Sequence, residues 1–142
     1  MQSPQDSLGF LLTDISRLMR RAFQQKLEGS DLTLAQARAL VYVSRHEGVR
    51  QVDLAELLEI QPITLARLID QLAEAGLVER RADPDDRRAY RLHLTAAAAP
   101  RLTAIRQVAA SIRAYALGGL DKQQVASVVA ALQKMHDNLA SR

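Results

Sequence analysis

Hydrophobic positions recur every three or four residues through most of the chain, and every second residue in only one short stretch. Over residues 7–27, Leu8, Leu11, Leu12, Ile15, Leu18, Met19, Ala22 and Phe23 form one long helical stripe, stopped by Glu28-Gly29-Ser30. Thr33-Leu34-Ala35-Gln36 has the spacing of a capping box, which predicts a helix capped by Thr33 and ending near His46, before Glu47-Gly48. A short helix follows over 52–58, then a turn at Glu59-Ile60-Gln61. Pro62 suits the first turn of the next helix and Gly76 its end. Leu65, Ile69, Leu72 and Gly76 share the inward stripe of that helix, widened by Ala66 and Ala73. About half a turn away, Thr64, Arg67, Gln71 and Glu74 make a second stripe that is wholly polar.

The period then drops to two. Residues 77–81 and 90–94 read as strands, the second with Tyr90, Leu92 and Leu94 on one side. Asp83-Pro84-Asp85-Asp86 between them is strong turn chemistry, followed at once by Arg87-Arg88. Thr95 is expected to cap a helix running to about Ala116, and Pro100 in its second turn predicts a kink or a late start. Gly118-Gly119 breaks it, and Asp121-Lys122-Gln123-Gln124 opens a last helix with Val125, Val128, Val129, Leu132, His136 and Leu139 on its stripe. The fold class is mainly α with a small β element (α+β): a winged helix-turn-helix between N- and C-terminal dimerisation helices. The expected divisions are 1–31, 32–95 and 96–142, parts of a single structural unit. A reader this small cannot cover three long apolar stripes, so they bury one another and those of a second copy. A monomer whose terminal helices fold back on the reader is the alternative.

With 142 residues, 48% hydrophobic and 25% charged, the chain has the composition of one folded domain. No run of 18 apolar residues exists, so no membrane span is expected. The opening Met1-Gln2-Ser3-Pro4 lacks a basic n-region and a small-residue cleavage site, which predicts no signal peptide and a cytoplasmic protein. The absence of cysteine excludes disulfides and thiolate metal ligands. His46, His93 and His136 sit on separate elements without paired ligand spacing, with His93 alternating onto the exposed side of its strand. There is no phosphate-binding glycine loop, nucleophile elbow or HExxH, so neither an enzyme nor a metal or other cofactor is implied.

Net charge is +3, yet residues 61–95 carry six arginines against six acidic residues, so bulk charge says little and placement says more. Only Lys26, Lys122 and Lys134 among the 19 basic residues are lysines, and none lies in that window. Arginine suits forked contacts to phosphates and bases, although an arginine-rich chain equally reflects a GC-rich genome. A major groove about 12 Å wide admits one helix, whose short polar side chains and arginines reach base edges. Gln61, Thr64, Arg67 and Gln71 are that set, and the hairpin would lay Arg87 or Arg88 along phosphates or into a minor groove. Asp86, two residues before Arg88, is placed to hold that guanidinium through an ion pair. The plainer readings are a solvated helix face and a charged loop tip. A rival of another class is a dimeric protein-interaction module that kept the winged shape without DNA binding; Thr64, Arg67 and Arg88 together argue against it.

The series Leu32-Thr33-x-x-Gln36, Asp53-Leu54-Ala55, Leu72-x-x-x-Gly76-Leu77-Val78-x-Arg80 and Asp83-Pro84-x-Asp86-Arg87-Arg88, leading to Leu94-Thr95, resembles the MarR family of transcriptional regulators. It is closest to the SlyA-like branch through Gln61-Pro62, Arg67 and Asp70-Gln71-Leu72. The resemblance implies a homodimer held by its first and last helices, acting as a repressor on a palindromic operator of double-stranded DNA. It places Pro62, Thr64 and Arg67 at the major groove and makes Arg88 the wing-tip arginine, positioned by Asp86. Ala96-Ala97-Ala98-Ala99 departs from the usual polar Glu-Lys-Gly start of the fifth helix. Many relatives are released from DNA by small phenolic or carboxylate effectors held between the reader and the dimer helices. Here Arg17 is placed to meet a carboxylate, with Ala37 and Val41 facing it; a plain surface or interface arginine is the alternative.

Overall fold

The computed structural model describes residues 4–142, with side chains from residue 7; the reading of Met1 to Ser3 as part of no leader lies outside them. The elements run α1 (Pro4–Leu27), α2 (Leu34–Arg45), α3 (Gln51–Leu58), α4 (Pro62–Glu74), β1 (Val78–Ala82), β2 (Tyr90–Leu94), α5 (Ala98–Ala116) and α6 (Lys122–Ala140). Six helices and one two-stranded antiparallel sheet among the described residues make the mainly α, winged helix-turn-helix fold that the periodicity predicts. No described helix is long and apolar enough to cross a membrane. The chain divides into two units, residues 1–109 and 110–142, and each is described by itself.

In the first unit the inward stripe of α4, Leu65, Ile69 and Leu72, meets Leu40 and Val43 of α2, Leu54 and Leu58 of α3 and Leu92 of β2, all buried. Ala98, Leu102 and Ile105 of α5 complete this core, and Phe23 and Leu27 at the end of α1 pack against it half-buried. Each fully buried Leu or Ile contributes about 1.5–3 kcal/mol, so this cluster is what fixes α4 in place. The rest of the α1 stripe, from Leu8 through Ile15 to Met19, is exposed.

Local chemistry shapes the ends of the reader. Thr33 and Gln36 form the expected capping box at the start of α2. At the close of α3, Glu59 is left-handed (φ 55°), and the Ile60 N–H reaches back to the Ala55 carbonyl at 3.1 Å. Gly76 does the same for α4 with φ 78°, and the Leu77 N–H donates to the Leu72 carbonyl at 2.9 Å. The strands pair from Val78 with Leu94 to Ala82 with Tyr90. A single bridge, Arg50 with Arg91, adds the segment before α3 to the free edge of β2.

Two expectations need correction. Thr95 does not cap α5: its hydroxyl donates to the Gly76 carbonyl at 2.5 Å and its N–H to the Leu77 carbonyl at 3.0 Å. It therefore joins the end of the wing to the end of α4, while α5 starts late at Ala98, with Pro100 in its first turn where no N–H is needed. Tyr90, Leu92 and Leu94 alternate along β2 as expected, the last two at the core and Tyr90, at the hairpin end, exposed. His93 is mostly covered, its Nδ1 3.6 Å from the Glu47 carboxylate.

In the second unit Asp121 and Gln124 form a capping box that opens α6. Val128, Val129, Leu132 and Leu139 of its stripe are exposed. A groove of about 660 Å³ runs along this helix, lined by Arg113, Leu120, Val125 and Val129 among others.

Candidate nucleic-acid interface

The helix that carries the polar stripe begins without a side-chain cap. Gln61 is the extended N-cap residue (φ −65°, ψ 143°), makes no capping bond with its side chain, and is followed by Pro62 at the first turn. Gln61, Pro62, Thr64 and Arg67 are all exposed, and the Arg67 guanidinium has no partner among the described residues. Gln71 is also exposed but engaged: its Oε1 accepts from Gln36 Nε2 at 2.7 Å, tying the end of α4 to the capping box of α2. The open part of the stripe is therefore its N-terminal half.

Arg80 of β1 sets the angle between α4 and the wing. Its guanidinium pairs with Asp70 at 2.7 Å and donates to the Gln51 side chain at 2.8 Å and to the Ala66 carbonyl at 3.1 Å. One side chain thus joins the sheet, the start of α3 and the middle of α4.

The wing is built from two successive Asx turns. Asp83 Oδ1 accepts the Asp85 N–H at 2.8 Å, and Asp86 Oδ1 accepts the Arg88 N–H at 3.0 Å. The Asp86 carbonyl also accepts the Ala89 N–H at 3.1 Å, so Arg87 and Arg88 are the two central residues of a β-turn rather than residues that follow one. Asp86 thus fixes the backbone under Arg88; the expected ion pair to the guanidinium is not formed, and the Arg88 side chain has no partner among the described residues. Both arginines are exposed, with guanidinium groups that have no partner among the described residues.

Asp83 is more than a turn residue. It is only 3% exposed, and its Oδ2 lies 2.7 Å from Arg50 Nε and 3.3 Å from Arg91 Nε. Arg91 in turn donates to the Gly48 carbonyl at 3.0 Å. The Asp85 N–H does most to hold the Asp83 carboxyl below its ordinary value of 3.8; burial pulls the other way, and the charges of Arg50 and Arg91 add to the lowering. Between this base and α4 lies a groove of about 320 Å³ whose walls include Arg50, Pro62 and Arg88.

The residues read as an effector site are distributed differently. Arg17 is exposed and paired with Asp14 on its own helix at 2.9 Å. Ala37 is buried in the core, and Val41 packs half-buried against it.

Sequence reasoning passed over Ile63, Asp83 and the linking role of Arg80. The partners of Asp83 and Arg80 sit on other elements and leave no local spacing to read. Ile63 was legible as an apolar residue outside the inward stripe of α4.

A helix-turn-helix with an open polar face, followed by a hairpin with free arginines at its tip, defines a winged helix-turn-helix of the nucleic-acid-binding kind. Residues 30–89 match the MarR family. The whole chain has the fold of the solved MarR transcriptional regulators to which it is similar. A MarR transcriptional regulator from Methanosarcina mazei is similar over 96% of this chain and 98% of its own, with 25% identity and a TM-score of 0.86. The apo MarR of E. coli matches over 95% of this chain and 98% of its own, with 25% identity and a TM-score of 0.83. A mutant E. coli MarR complexed with operator DNA matches over 90% of this chain and 92% of its own, with 26% identity and a TM-score of 0.73.

Proposed function

We propose that this chain is a sequence-specific transcriptional repressor of the SlyA-like branch, which binds a palindromic operator in the cytoplasm as a homodimer. The observation that carries the reading is the free N-terminal half of the α4 polar stripe beside a wing tip whose two arginines have no partner within the chain. Thr64 and Arg67 read base edges in the major groove, Gln61 and Pro62 border them, and Arg88 meets the neighbouring groove or its phosphates. Gln71 stands at the margin, held by Gln36. The similar E. coli protein solved with operator DNA supports this assignment by its fold.

The dimer rests on apolar surface. Leu8, Leu11, Ile15 and Leu18 on α1, and Val128, Val129 and Leu132 on α6, are large side chains left open in the single chain, in amounts that soluble monomers rarely expose. A second copy covers both stripes. A carboxylate effector competes with Asp14 for Arg17, and it releases DNA only by preferring the spacing of the two readers that does not fit the operator.

Selection of bound duplexes from a random pool tests the reading. The expected product is a two-fold symmetric motif with half-sites about 10 bp apart, or a multiple of that. Enrichment of no duplex, with no salt-dependent retention on heparin, would leave the protein-interaction module instead.

A further inference from the structure

Alpha helix α4 carries one large apolar side chain that its own fold does not use. Ile63 is 66% exposed, whereas Leu65, Ile69 and Leu72 of the same helix are buried. At 100° per residue it stands opposite that buried line, at the centre of the solvent face, with Arg67 one turn further on and Thr64 adjacent. Thr64, Arg67 and Asp70 around it are exposed and polar, while Pro62, with Val52 and Tyr90, lines the neighbouring groove, so the face that Ile63 shares with Arg67 is otherwise polar. It also lies in the first turn of the helix, the part of a recognition helix that meets base edges.

The major groove offers one apolar group on its floor, the C5-methyl of thymine. We propose that Ile63 is a specificity-determining residue that packs on a thymine methyl in each half-site. The inference rests on the DNA-binding reading above and adds a base to it. A β-branched side chain is stiff about χ1, so it presents a fixed surface to the methyl with little freedom left to lose. Four residues along a helix span about 6 Å, close to two base steps of 3.4 Å. The thymine therefore lies within about two base pairs of the base that Arg67 contacts. A 5-methylcytosine carries the same methyl group, but an unmethylated random pool contains none, so a position enriched there is thymine.

The test uses the full chain and the duplexes it selects from such a pool. The half-site thymine is replaced by 2′-deoxyuridine, which removes only the methyl, and binding is measured for the natural chain and for Ile63→Ala. The natural chain should lose about fourfold in affinity per half-site, while Ile63→Ala, exposed and expected to fold unchanged by circular dichroism, should bind both duplexes alike. A selected motif without thymine at that distance, a natural chain indifferent to the methyl, or an undiminished methyl effect in Ile63→Ala would each overturn the assignment and leave DNA binding intact. Failure to select any duplex would overturn the DNA-binding reading together with it.

Discussion

The arginines of the reader divide by what holds them. Arg50, Arg80 and Arg91 are committed to Asp83, Asp70 and main-chain carbonyls, so their charge is spent inside the fold. Arg67, Arg87 and Arg88 keep theirs free. Arg67→Ala should cost about 1–3 kcal/mol on the selected operator and relax one base preference; equal weakening on operator and random duplex would refute base reading. Arg88→Ala should weaken specific and non-specific binding alike and lower the salt slope by about one for each phosphate neutralised. A slope that stays the same in a salt titration would remove it from the phosphate contacts. At this scale the sequence shows which residue types lie on which stripe, but not which are already engaged. Gln71 reads as free from its spacing, yet its amide is held by Gln36, 35 residues away. Asp86 two residues before Arg88 reads as an ion pair, but what it holds is the Arg88 backbone N–H, and the guanidinium stays free.

Elements were most legible where their ends depend on neighbouring residues. Thr33 with Gln36 and Asp121 with Gln124 both close capping boxes, and Pro62 and Gly76 bound α4 as their backbone preferences require. The wing was legible as a hairpin, but not its anchor. A one-pair bridge at Arg50 is too short to leave an alternating pattern, and the burial of Asp83 depends on arginines from two other segments. Thr95 has the spacing of a cap, but the Gly76 carbonyl, 19 residues away, takes its hydroxyl. The anchor carries a pH signature. Because the folded Asp83 carboxyl titrates below its unfolded value of 3.8, its contribution to stability is complete above that value and is lost as pH falls through the lower, folded one. Asp83→Asn should therefore lower the urea midpoint near neutral pH, and the gap from the natural chain should close as pH drops below about 3.8. A gap that persists unchanged into acid would mean that the carboxylate charge plays no part in holding the wing.

For the molecule as a whole, the apolar stripes of α1 and α6 were visible in the sequence as helix faces that a second copy was expected to cover, and they are open in the single chain. Leu132→Glu, on the exposed face of α6, should shift the protein from dimer to monomer in sedimentation without changing its helix content; a dimer that persists would place the seam elsewhere. The partner's identity is not a property of local spacing, which is why the stripe was legible and its cover was an inference. The Arg80 clamp has a mechanical result at this scale. With α3, α4 and the sheet fastened through one guanidinium, a wing cannot swing while its helix stays put. In the proposed homodimer each half would turn like the rigid jaw of a caliper, leaving an effector only the gap between the jaws to adjust.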